Sequence, residues 1–200
     1  MKPLGYRVHQ NLKRRLTDDL LIKMGCGRFY WDASIGKIKA PYGDSLSALC
    51  ERVLSVVNEG SSVLIYGPPY SGKTCAAVIF GKRVLKYGGS VFFVQPHKLL
   101  TAIMKNEAYD DDLSILERCE TAHLLILDAV GDKATIRQEE YHLENVVRAR
   151  RDNLLSTVVT TPMSVEEFGD AYPAVARLIA GSGTVMHVCG QDWAHGGVAR

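Results

Sequence analysis

No stretch of this 200-residue sequence is apolar for long enough to cross a membrane; a membrane helix needs roughly 20 such residues. The first residues also lack the apolar core of a signal peptide. Cysteine is sparse and scattered: Cys26, Cys50, Cys75, Cys119 and Cys189 form no C-x-x-C pair. An odd number of isolated thiols fits buried thiols in a reducing, cytoplasmic setting better than disulfides or zinc ligands. Charge of one sign is missing too. With a formal net charge of +2, no global field argues for nucleic acid. There is no internal repeat and no low-complexity stretch. What remains is an ordinary globular composition, with chain enough for one domain and its core.

Against that plain background one stretch is specific. Gly67-Pro68-Pro69-Tyr70-Ser71-Gly72-Lys73-Thr74 fills the pattern G-x-x-x-x-G-K-[ST] without a mismatch. Ser62-Val63-Leu64-Ile65-Tyr66 before it reads as a buried strand, and Cys75-Ala76-Ala77-Val78-Ile79-Phe80 after it opens a helix. Strand, loop and helix are the context this phosphate-binding loop requires. Glycines let the backbone curl so that N–H groups point inward, and the helix adds its positive end. Residues Gly67 to Cys75 are therefore the candidate nucleotide cradle. Lys73 reaches the β- and γ-phosphates, and the Thr74 hydroxyl ligates Mg²⁺.

Residues 1–28 form a basic N-terminal arm, with seven basic residues against Asp18 and Asp19. Leu12, Leu16, Leu20 and Leu21 recur at helical spacing. The arm reads either as a solvated tail or as a docking segment for a partner or a nucleic-acid backbone. Arg28-Phe29-Tyr30-Trp31-Asp32 is an aromatic cluster that serves either as an adenine wall, with Tyr30 the candidate, or as core packing. Asp44 or Ser45 is the expected N-cap of the next helix, which closes at Asn58-Glu59-Gly60.

Ser90-Val91-Phe92-Phe93-Val94 is a second strand, followed by helical patterns at 98–104 and 113–119 around a solvated Asp110-Asp111-Asp112 tip. His123-Leu124-Leu125-Ile126-Leu127-Asp128 is a third strand ending in an acid. At the carboxyl end of a parallel strand, Asp128 sits beside the phosphates and holds Mg²⁺. A polar helix over about 137–153 carries Arg148, Arg150 and Arg151. Ser156 to Thr161 is a fourth strand stopped by Pro162, Ser164-Val165-Glu166-Glu167 starts a helix, and Thr184 to Val188 is a fifth strand. His187, Cys189, Asp192 and His195 cluster late but make a poor zinc site: strand alternation explains the first two, and no second half-site exists. Strands alternating with helices predict an α/β fold, a five-stranded parallel sheet covered on both faces.

From Phe29 onward the order of signals resembles the AAA+ ATPases of the DnaC-type replicative-helicase loader family and their relatives, the IstB-type transposition helper ATPases. The residues that carry it are Tyr30-Trp31-Asp32-Ala33-Ser34, the phosphate loop, Gly88 to Phe93, Ala122 to Gly131, Val158 to Phe168, Ala176-Arg177-Leu178 and Gly190-Gln191-Asp192. The resemblance implies a three-layer P-loop NTPase over residues 29–200, with ATP and Mg²⁺ bound by Lys73, Thr74 and Asp128. It implies that Thr160 or Thr161 senses the γ-phosphate, Thr161 being the residue taken here. Arg177 resembles the arginine finger that reaches a nucleotide on the neighbouring subunit, with a structural salt bridge as the alternative, and Arg150 is a second trans-acting candidate. The implied partners are further copies of the chain, a replicative helicase and DNA, the last met by the arm, Lys98 and Lys105.

Two departures from that pattern stand out. The family places an acid directly after the magnesium-binding aspartate, where this chain has Ala129; its sensor asparagine falls at Pro162. A short basic arm also takes the place of the N-terminal helicase-binding domain. The expected behaviour is ATP-dependent assembly with slow hydrolysis, Asp132 being the conceivable substitute acid. The rival readings are a transposition helper and a nucleotide-binding adaptor that never hydrolyses ATP. One prediction follows from the motif alone: Lys73→Ala removes the flexible cation at the phosphates and should abolish Mg-ATP binding in calorimetry.

Overall fold

The computed structural model describes residues 15–37, 42–105, 115–131, 136–181 and 183–188. The arm before Arg15, the Asp110–Asp112 tip, Asp132, Cys189, Gly190-Gln191-Asp192 and His195 lie outside them. Five strands, β1 (Val63–Tyr66), β2 (Val91–Val94), β3 (Leu124–Leu127), β4 (Ser156–Thr161) and β5 (Thr184–His187), make one sheet. Its order is β2-β3-β4-β1-β5 and every described pairing is parallel. All strand carboxyl ends therefore point to one edge, where a ligand crevice forms in sheets of this kind.

A parallel sheet buries both faces, so its strands alternate between two apolar layers rather than between core and water. Val63, Ile65, Leu124, Ile126 and Val158 face one layer, built with α1 (Asp18–Met24), α2 (Tyr42–Glu51), α3 (Val53–Glu59) and α4 (Lys73–Lys86). Leu64, Leu125, Leu127 and Val159 face the other, built with α5 (Pro96–Lys105), α6 (Ile115–Thr121), α7 (Ile136–Asp152), α8 (Val165–Ala171) and α9 (Pro173–Ala180).

Three differences from the sequence reading have physical causes. First, α1 lies within the segment read as a basic arm, yet its Leu21 and Met24 are buried in the core. Thr17 caps it, Asp18 and Asp19 sit in its first turn, and Gly25 ends it at φ 86°. Arg118 fastens it to the sheet: its guanidinium donates to the Lys23 carbonyl and lies 4.2 Å above the Phe92 ring. Second, the expected N-cap at Asp44 or Ser45 falls inside α2, which starts at Tyr42, and Arg52 breaks the segment into α2 and α3. By contrast the start at Ser164 is as read, a capping box in which Ser164 and Glu167 satisfy each other's backbone N–H groups.

Third, Arg150 is not a surface finger. It is fully buried, and its guanidinium donates to the carbonyls of Cys119, Ala122 and Ser156 and to the Thr157 hydroxyl. Loss of water lowers its pKa to about 9, so it stays charged at neutral pH. The helix period explains the placement: Arg148, two residues earlier, faces water and pairs with Glu144 one turn back. Arg150 thereby pins α7 to the α6–β3 connection and to the start of β4. Arg150→Ala should cost about 3–5 kcal/mol, because it orphans buried carbonyls and leaves a cavity. Urea unfolding with an unchanged slope would measure it.

Candidate functional site

The phosphate loop leaves the end of β1 and is shaped by a close approach. Gly67 has φ 148°, and a Cβ there would meet the Val188 carbonyl oxygen at 2.1 Å, so only glycine fits where β5 runs past. The Lys73 ammonium, 9% exposed, donates to the Pro68 carbonyl at 2.6 Å and so folds back over the loop. The Ser71 N–H donates to the same carbonyl, while the buried Ser71 hydroxyl has no partner among the described residues. Gly72, at φ 100°, precedes α4, and no side chain caps that helix. Its first turn lines the cleft, and its positive dipole end suits an anion.

Opposite this loop lies Asp128, 3% exposed at the end of β3. Its Oδ1 accepts from the Thr74 hydroxyl and from the Thr160 hydroxyl, each at 2.8 Å. Burial raises the Asp128 pKa above its usual 3.8; the bonds from Thr160, Thr74 and Gln95 and the charge of Lys73 oppose that rise. Thr160 Oγ1 also accepts from the Ala129 N–H at 2.8 Å. Ala129 has φ 61°, a left-handed turn costing roughly 1–2 kcal/mol without glycine. That N–H bond helps to hold it.

Thr160, not Thr161, is the threonine that meets Asp128 in the cleft. Leu127 pairs with Val159, so the next residue along each strand, Asp128 and Thr160, meet. Thr161 points away, donating to the Val130 carbonyl at 2.8 Å.

These groups line a cleft of about 490 Å³ with Phe29, Tyr30, Pro69, Tyr70, Cys75, Gln95 and Pro162. Tyr30 lies at the Thr74 end, within hydrogen-bonding reach of that hydroxyl; burial raises its pKa, and nearby Asp128 adds to the rise. Phe29 and Tyr70 are the more exposed rings of the same cleft. Lys82 anchors the aromatic turn by donating to the carbonyls of Trp31 and Ala33. Gly67, Pro68 and Ser71 belong to the same loop without lining the cleft. Arg177 does not line the cleft and is exposed on α9.

The donor set suits a hard, octahedral cation such as Mg²⁺. Thr74 and Asp128 offer two oxygens, and no cluster of three His, Cys, Asp or Glu able to hold a metal occurs among the described residues. Mg²⁺ is commonly bound in this way, completed by water and substrate phosphates.

Sequence reasoning missed two supports. Gln95 follows β2 directly, and its place at a strand's carboxyl end was the available signal. Glu139, on α7, is 3% exposed and accepts from the Gly131 N–H at 3.2 Å and from the Tyr172 hydroxyl at 3.0 Å. No spacing in the sequence announces that contact.

The fold and cleft define a P-loop nucleotide-binding protein with an AAA+ core. A family profile described as "IstB-like ATP binding protein" matches residues 45–181, more than half of the chain, and the chain belongs to that family. It is 27% identical over 119 residues to an ATP-binding protein assigned to insertion sequence IS21 in Pseudomonas aeruginosa, covering 60% of this chain and 44% of that protein. It is 31% identical over 104 residues to the uncharacterized protein YdaV of Escherichia coli K12, covering 50% and 41%. The matched region thus spans less than half the length of either relative. Among solved structures, the DnaC helicase loader superposes with a TM-score of 0.66 at 20% identity, covering 81% of this chain and 99% of that one. DnaI gives 0.67 at 16%, covering 84% and 93%. AMPPCP-bound DnaA from Aquifex aeolicus gives 0.63 at 15%, covering 79% and 50%. At these identities the structures establish the shared fold. No helix among the described residues is long and apolar enough to cross a membrane.

Because the folded pKa of Asp128 is raised, its buried charge opposes folding once the carboxylate ionises, and the penalty vanishes below the unfolded value. Asp128→Asn should therefore raise the melting temperature of the nucleotide-free protein at pH 7. The gain should fade as the pH falls toward 3.8. Thermal unfolding at several pH values measures this.

Proposed function

We propose that the chain is an ATP-controlled assembly module that hydrolyses ATP slowly and works on DNA, delivering a replicative helicase. The observation that carries the nucleotide part is the meeting of Thr74, Asp128 and Thr160 beside Lys73 in one cleft. Lys73 would leave the Pro68 carbonyl for the β- and γ-phosphates, and Thr74 and Asp128 would hold Mg²⁺. Bound there, the ion would neutralise phosphate charge. Thr160, tied to both Asp128 and the Ala129 N–H, would sense the γ-phosphate end.

Slow turnover follows from what the cleft lacks. Asp128 is the one carboxylate among its described lining residues, and it is committed to two hydroxyls. Ala129 offers a methyl group and Pro162 no donor, so neither can orient water. Arg177 is exposed and outside its own cleft, which suits action on a neighbouring copy, where a guanidinium spreads positive charge over phosphoryl oxygens. We assign the same protein to the cytoplasm. The exposed Lys98 on α5 is the described residue we assign to DNA contact.

A second client, a transposase, is favoured by the family itself and by the IS21 relative. Electron microscopy and sedimentation of the full chain with ATP separate the two. Stable association with a hexameric helicase supports the loader; ATP-dependent filaments on duplex DNA support the transposition helper. A monomer under all these conditions contradicts both and leaves a pure adaptor. Ala129→Glu should raise steady-state hydrolysis in the assembled state about 10²-fold or more. An unmodified protein already turning over rapidly, with no gain from the variant, would refute the slow-switch reading.

A further inference from the structure

Tyr70 is unusual on two independent counts. Its φ is 60°, in the left-handed region where a bulky side chain is an outlier. Its ring lines the cleft yet is 66% exposed. The loop needs that backbone angle to turn from Pro69 into Ser71 and Gly72, and a glycine would adopt it without strain. The chain keeps a phenol there instead. Strain at a ligand-facing position points to a side chain in use.

A second ring complements it. Phe29 also lines the cleft, is 86% exposed, and stands edge-on to Tyr30 at 5.2 Å. Tyr30 is the half-buried ring that reaches Thr74, so Phe29 and Tyr70 are the two exposed aromatic rings among the described lining residues. A nucleobase or ribose entering between the rings would bury both.

We infer that Tyr70 is a nucleotide-retaining residue: its ring closes the outer side of the cleft over a bound nucleoside triphosphate, together with Phe29, and slows its release. The inference rests on the nucleotide-binding reading above. It makes the long-lived bound state a property of a binding residue as well as of a missing catalytic acid.

Stopped-flow release of a fluorescent ATP analogue with Mg²⁺ from the full chain tests it. Tyr70→Gly should release the analogue about 10-fold faster. It should also raise the melting temperature of the nucleotide-free protein, because the strained angle is relieved. Tyr70→Phe should release at the rate of the unmodified protein, since the ring is retained. Equal release from Tyr70→Gly and the unmodified protein overturns the inference, as does fast release from Tyr70→Phe. Absence of binding by the unmodified protein, by contrast, overturns the nucleotide reading itself.

Discussion

A single carboxylate oxygen holds three elements in register. Asp128 Oδ1 accepts from a hydroxyl in the first turn of α4 and from another at the end of β4, while its own residue directly follows β3. A buried carboxylate is costly unless hydrogen-bonded, so the two bonds are a condition of placing the acid there at all. They also fix the distance between the phosphate loop and the middle of the sheet. The Ala129 N–H on Thr160 then sets the turn that follows. Whatever enters between Thr74 and Asp128 must break or share one of these bonds, and its arrival is therefore felt by β4 and by the Ala129 turn.

The turn in question has a way out to the surface. Gly131 closes it at φ 83°, with a Cβ position that would meet the Met163 side chain at 2.7 Å. Its N–H is held by Glu139, which also accepts from Tyr172, the residue that caps α9. Glu140, one residue along, accepts from the Ala174 N–H in the first turn of the same helix. The end of β3 and the helix bearing Arg177 are thus joined through α7 by hydrogen bonds rather than by apolar packing alone. That continuity links the first turn of α9, the helix that carries Arg177, to the turn after β3.

How much of this was legible in the sequence depends on whether a residue works by motif or by register. The phosphate loop, the five strands and the acid at Asp128 were readable because each follows from a local pattern with a known period. Thr160 and Thr161 were indistinguishable for the opposite reason: adjacent residues on a strand face opposite sides, and only the pairing of Leu127 with Val159 decides between them. Arg150 misled because three arginines on one polar helix look alike until the packing face is known. α1 was underread because leucines at helical spacing in a basic segment fit a docking helix as well as a core one, and only the packing shows that Leu21 and Met24 reach the core. Glu139 and Lys82 act across long sequence separations, where no single chain pattern carries a signal.

The central claim is that Thr74 and Asp128, which bond directly to each other in this structure, open to share a magnesium ion with the phosphates gripped by Lys73. Calorimetric titration of the full chain with ATP at neutral pH, with Mg²⁺ and then with the ion chelated, tests this most directly. The account predicts saturable binding that weakens markedly on chelation. Equal affinity with and without Mg²⁺, or no binding in either case, would contradict it.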